Sequence, residues 1–233
     1  ARPTRDFRVF GKAAMEYGFD GVAWGWDAGV RELFADFQWK DWAFFRVGKH
    51  TIQWGVGYFY SPADVLNLVS IDPMDPTAER EGPISLKTHV PFGQNNAYLY
   101  VIANDITHPA EIAVAPKVEV VLGGYELGAG GFVQKDLPAG LMLTATGPLG
   151  QLALFGEAVL QYAWQSAPQP LLFSATFGAG YLDPEHGLSA FAQYLFAECA
   201  IAAADLPAAR ATHPGTHRLA AFVAWSPIGE SDF

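Results

Sequence analysis

Residues 152–164 alternate with a period of two. Leu152, Leu154, Gly156, Ala158, Leu160, Tyr162 and Trp164 fall on one parity; Ala153, Phe155, Glu157, Val159 and Gln161 fall on the other. Side chains on a strand point alternately to its two faces, so this is a strand with one apolar face and one mixed, partly polar face. Similar segments recur along most of the chain, with aromatic residues near their ends. A β-barrel wall in an outer membrane needs that make-up, with lipid on one side and water on the other.

Composition points the same way. Of the 233 residues, 51% are hydrophobic and 16% are charged. Soluble domains carry roughly 25% charge. No stretch reaches the ~20 consecutive apolar residues of a spanning helix, so a membrane crossing here would be made by strands in a closed barrel. The competing reading is a soluble β-rich domain with a large core. The net charge of −10 argues against a nucleic-acid partner, which demands basic patches. Cys199 is the single cysteine, so neither an internal disulfide nor a cysteine-based metal site is expected. The opening Ala1-Arg2-Pro3-Thr4-Arg5 is polar and reads without a signal peptide, as in a mature, trimmed or cytoplasmic chain.

Alternation predicts strands over residues 6–19, 30–39, 42–53, 84–90, 96–104, 112–122, 125–133, 140–148, 151–164, 171–182, 187–196 and 217–225. Residues 20–29 contain three glycines and read as a loop. Lys40-Asp41 reads as a tight turn, and Gly123-Gly124 as a hairpin turn. Residues 55–82, with Pro62, Pro73 and Pro76, read as a long loop that includes a short helix at 63–69. Residues 197–216 read as an Ala-rich helical loop. The expected fold is all-β: one antiparallel transmembrane β-barrel domain over 1–233, of about twelve strands, complete or partial. Ser226–Asp232 do not read as a closing strand.

The segment Phe45-Arg46-Val47-Gly48-Lys49-His50-Thr51-Ile52-Gln53-Trp54-Gly55 resembles a strand end of Gram-negative and spirochaetal outer-membrane porin-like proteins. There an Arg/Leu-x-Gly-Lys-Gln-x-x-x-Trp-Gly pattern precedes a loop with a Pro-x-Asp element. The corresponding residues here are Ser61-Pro62-Ala63-Asp64-Val65-Leu66-Asn67, then Asp72-Pro73, then Arg80-Glu81-Gly82-Pro83. The resemblance covers residues 30–130 by motif. It departs at His50, where the family commonly has Gln. It implies an outer-membrane barrel of a diderm bacterium, in contact with outer-membrane lipid and passing small hydrophilic solutes, with no cofactor. It leaves the oligomeric state open.

A barrel interior is polar, and its charges set which solutes pass. The inward candidates are Lys12, Glu16, Glu32, Asp36, Arg46, His50, Lys87, His89, Lys117, Glu119, Glu157 and Arg218. Alternatively, these residues pair across neighbouring strands and stiffen the wall. If the long loop folds inward, Asp64, Asn67, Asp72, Asp75 and Arg80 sit near the solute path; otherwise it is a surface loop with proline-set turns.

Signals for catalysis are weak. There is no Gly-x-Ser-x-Gly elbow, and the glycine run 123–131 lacks the Lys-Ser/Thr of a phosphate loop. His213 and His217 are four apart, but Pro214 and Gly215 between them disfavour a helix, so no metal site is expected. Glu157 with Glu119 would serve as an acid/base pair only if the fold brought them together. A passive channel is therefore the leading expectation. A β-scaffold enzyme using acidic residues and a structural or adhesive outer-membrane barrel are the alternatives.

Overall fold

A computed structural model describes residues 7–19, 24–67, 81–103, 112–135, 137–162, 171–197 and 217–226, without the side chains of Glu16, Phe19 and Asp27. Twelve strands follow in chain order: β1 (Phe7–Phe19), β2 (Trp24–Trp39), β3 (Ala43–Lys49), β4 (Ile84–Phe92), β5 (Asn95–Ile102), β6 (Ala113–Leu122), β7 (Tyr125–Gln134), β8 (Ala139–Leu149), β9 (Leu152–Tyr162), β10 (Leu171–Asp183), β11 (Leu188–Ala197) and β12 (His217–Trp225). Each lies beside its sequence neighbour in one sheet, ordered β1 to β12. The fold is all-β and antiparallel, and no described residue is helical. Among the described residues β12 does not pair back to β1, so the sheet is not closed into a barrel.

The first hairpin is longer than the alternation suggests. Residues 24–29, read above as loop, are strand and continue the ladder as far as Phe19 opposite Trp24. The reason is a bulge. Lys12 pairs with Glu32 but Ala13 pairs with Val30, so Arg31 is an extra residue on β2. An extra residue moves every later side chain to the other face. Trp24, Trp26, Ala28 and Val30 therefore share a face with Leu33, Ala35 and Phe37 despite their opposite parity.

Two further expectations are corrected. β3 stops at Lys49 rather than running to Gln53. Gly48 sits at φ +124° pressed against the backbone of Leu33 and Phe34, an approach only glycine allows, and the chain then leaves the ladder. The His50 N–H goes instead to the Pro83 carbonyl (3.3 Å). The described part of the expected helix, residues 63–67, is a pair of turns, with Asp64 N bonded to Ser61 O (3.0 Å) and Val65 N to Ala63 O (2.9 Å). Pro62 has no N–H to give and the Ala63 N–H goes to Glu157 Oε2 (2.9 Å), so neither joins a helical ladder. Residues 68–69 and 198–216 lie outside the described residues.

The Lys40-Asp41 turn is present, with φ of +50° and +56°. Trp39 pairs with Ala43, so this connection is three residues long, and left-handed backbone at Lys40 and Asp41 sets its tight turn. Gly123 (+59°) and Gly124 (+86°) do the same between β6 and β7 without a Cβ penalty.

Contacts group the chain into two compact units, one of residues 1–53 and 66–116, the other of 54–65 and 117–233. In the second unit the strands have two unlike faces. One buries Lys117, Gly128, Phe132, Met142, Thr144, Glu157, Val159, Thr176 and Gln193. The other presents Leu127, Leu141, Leu143, Leu149, Leu171, Phe177, Leu219 and Val223 to the outside. From β7 to β12 the acidic and basic residues on that apolar face are Asp183, at the end of β10, and His217, at the start of β12.

Candidate functional site

In the second unit, residues 54–65 form a strap without strand structure, laid on the polar face of the sheet. A strand satisfies its amides on its neighbours; a strap has no ladder, so its N–H groups need other acceptors. Two side chains supply most of them. Glu157, in mid-β9 and 4% exposed, accepts from Gly57 N (2.6 Å), Ala63 N (2.9 Å) and Ser61 Oγ (3.2 Å). Gln193, on β11 and 1% exposed, accepts at one oxygen from the N–H groups of Tyr58 (3.1 Å), Phe59 (2.7 Å) and Tyr60 (3.3 Å). Its Nε2 donates to Tyr60 O (2.5 Å) and to Thr176 Oγ1 (2.6 Å).

The surrounding sheet makes room for this latch. Thr144 and Thr176 stand directly across from Glu157 on the flanking strands. The Thr176 hydroxyl donates a hydrogen bond to Tyr194 O (2.7 Å), which leaves its oxygen to accept from Gln193. A Cβ on Gly57 would overlap the Tyr60 carbonyl and the Glu157 carboxylate, so the strap is glycine there by necessity. At the strap's start, Lys117 Nζ donates to Trp54 O (2.9 Å), lies over the Trp54 ring and pairs with Glu119 (2.7 Å). Tyr58 stacks on Phe191 (5.1 Å), which stacks in turn on Phe222 (5.1 Å). Glu157 thus serves the strap and Glu119 serves Lys117.

The first unit has a charged row. The pairings Arg8 with Asp36, Asp36 with Arg46 and Arg46 with Lys87 set four charged residues side by side on β1 to β4. Asp36 accepts from Arg8 Nε (3.0 Å) and Nη2, and from Arg46 Nε (2.7 Å) and Nη2 (3.1 Å). The Arg46 guanidinium lies over the Phe34 ring (3.9 Å), and Lys87 over Tyr98 and Tyr100 (5.0 and 5.7 Å). His89 stacks on Tyr98 (4.7 Å) and bonds Asn96 Oδ1 through Nε2 (2.8 Å). Glu32 accepts from Thr51 (3.1 Å), and Lys12 stands across from it on β1. Asn67 clasps Ile52 from both sides, its Oδ1 accepting the N–H (2.9 Å) and its Nδ2 donating to the carbonyl (2.7 Å).

His50 is 1% exposed, edge-on to Phe34. Its Nδ1 donates to Gly48 O (3.1 Å), and its Nε2 faces the Ser85 hydroxyl (3.5 Å), which suits a neutral ring. Burial holds its pKa below the ordinary histidine value; the Gly48 carbonyl opposes that shift, and the Arg46 and Lys87 charges reinforce it. The folded chain therefore takes up this proton at lower pH than the unfolded chain. The stability tied to neutral His50 is complete above about pH 6.5, the unfolded value, and falls as pH drops through the window below it. His50→Gln is expected to flatten the pH dependence of unfolding between pH 6.5 and 5 by up to about 1.4 kcal/mol per pH unit, read from urea titrations at each pH.

The remaining sequence candidates are more scattered. Asp64 is buried in the turns that end the strap. Arg218 is exposed on β12 opposite Leu195. His217 begins β12 as strand and bonds Tyr194, while His213 lies outside the described residues. Asp72, Asp75 and Arg80, and the Glu16 side chain, also lie outside them. Among the described residues no cluster of His, Cys, Asp and Glu is arranged to hold a metal. Sequence reasoning missed Arg8 and Gln193. Gln193 carries a usable signal, an isolated amide in the otherwise apolar run Ala190-Phe191-Ala192-Gln193-Tyr194-Leu195. Comparison with models of known families and with curated proteins finds no match for this chain.

Proposed function

We propose that this chain is wall and constriction of an outer-membrane channel through which small hydrophilic solutes pass passively, its strands forming part of a barrel wall in the membrane of a diderm bacterium. The observation that carries the reading is the contrast between the two faces of the second unit. On the apolar face Leu143 is 59% exposed, Phe177 63% and Leu219 75%. A soluble protein rarely leaves so broad a charge-poor, apolar surface uncovered. Lipid is the solvent that suits it, and strands of 8 to 13 residues, such as β5 and β10, bracket the ~9–11 needed to cross. The opposite face holds charged and amide groups whose dry burial would be costly, which suits a wet interior.

In this reading the strap narrows the path, held by Glu157 and Gln193, and the basic and acidic groups of the wall set selectivity. The test has two stages. The protein extracted in detergent should migrate differently on gels before and after boiling, as closed barrels do. Reconstituted in a planar bilayer, it should give discrete single-channel currents in KCl. A protein that stays monodisperse without detergent would overturn the membrane reading. A heat-modifiable barrel without current would be a scaffold instead.

A further inference from the structure

We propose that Arg8, Arg46 and Lys87 of the first unit form a binding subsite for the carboxylate of a small aromatic acid. Among the described residues of this row three cations, Arg8, Arg46 and Lys87, stand beside one carboxylate, Asp36. Asp36 takes two N–H groups from each guanidinium. A guanidinium has five, so three on each lie outside the Asp36 contacts. Asp36 also holds both guanidinium planes in place, which is the preorganisation a bidentate carboxylate contact needs.

The row borders a concavity of about 370 Å³, whose lining includes Arg8, Gln38, Phe44, Arg46, Lys87 and His89. That volume suits a small ligand. The wall opposite in character is aromatic. Phe44 lies against His89 (5.7 Å), and His89 is fixed by Asn96 and by the Tyr98 ring. Cations on one side and rings on the other select an anion with a flat apolar body over a bare anion or a neutral ring. The inference rests on the channel reading for its biological use, as a point that favours organic acids among permeating solutes.

The test uses the full chain in detergent with three probes: benzoate, neutral benzamide and inorganic phosphate. By equilibrium dialysis, benzoate should bind at least about tenfold tighter than either of the others, the scale of one charge-assisted hydrogen bond. Lys87→Gln should weaken benzoate about tenfold, and Lys87→Arg should keep most of the binding. Equal binding of benzoate and benzamide, or no effect of Lys87→Gln in a protein that still shows the heat-dependent gel shift, would overturn the subsite. Bilayer recording separates the two ideas. Benzoate binding without ionic current would sink the channel and leave the subsite standing; current without benzoate binding would do the reverse.

Discussion

Glu157→Ala is expected to release residues 57–63 from the polar face of the second unit. The substitution removes the acceptor for Gly57 N, Ala63 N and Ser61 Oγ at once. Hydrogen bonds to a charged group are worth about 1.5–3 kcal/mol each, and a buried amide left without a partner costs about 1–3 kcal/mol. Removing the carboxylate also removes its own burial cost, so the sum is partly offset. A net loss of about 3–5 kcal/mol in urea unfolding is the expected result. Glu157→Gln should lose roughly half as much, because its amide keeps one carbonyl acceptor but turns an NH₂ toward donors. Limited proteolysis gives a structural readout, with new cleavage at Tyr58–Tyr60 in the variant. In the channel reading, single-channel conductance should rise with the same rank order, Ala above Gln above wild type. Unchanged proteolysis and conductance in Glu157→Ala would mean that Gln193 and the Tyr58–Phe191 stack hold the strap without it.

How much of this was legible beforehand depends on the kind of signal. Strands such as β8 and β9 were readable because a period of two survives wherever one face is uniformly apolar. The first half of β2 was not. The bulge at Arg31 shifts the phase, so Trp24 to Val30 contradict the pattern of Leu33 to Phe37 although the β1–β2 ladder continues past it. The polar candidates were readable as residues but not as partners. Nothing in the spacing shows that Glu157 meets amides about a hundred positions earlier, since that contact depends on register across non-local strands. Gln193 carries no charge to mark it, yet it holds three consecutive strap amides. Arg8 differs in kind. It was visible on the polar parity of β1, but its value comes from Asp36, which ties it to Arg46 two strands away.

Leu143→Arg should separate membrane from water more sharply than any change on the polar face. Leu143 sits near the middle of β8, on the apolar face, opposite Ala129 and Ala158 on the flanking strands. Its neighbours are small and it is well exposed, so an arginine fits without a clash. If that face meets water, the substitution is a surface change worth within about 0.5 kcal/mol. If it meets lipid, an arginine near the bilayer midplane costs about 2–4 kcal/mol. Leu149, at the end of the same strand and on the same face, provides the internal control. Near the interface an arginine costs only about 0–1 kcal/mol, because the side chain reaches the headgroups. Folding into phosphatidylcholine vesicles, followed by the heat-dependent gel shift across a urea series, should therefore show a large loss for Leu143→Arg and a small one for Leu149→Arg. A difference of about 2 kcal/mol between two leucines six residues apart on one exposed face has no source in aqueous surface chemistry. It follows directly from a depth-dependent hydrocarbon solvent, and equal, near-zero losses would remove the lipid-facing wall on which the channel depends.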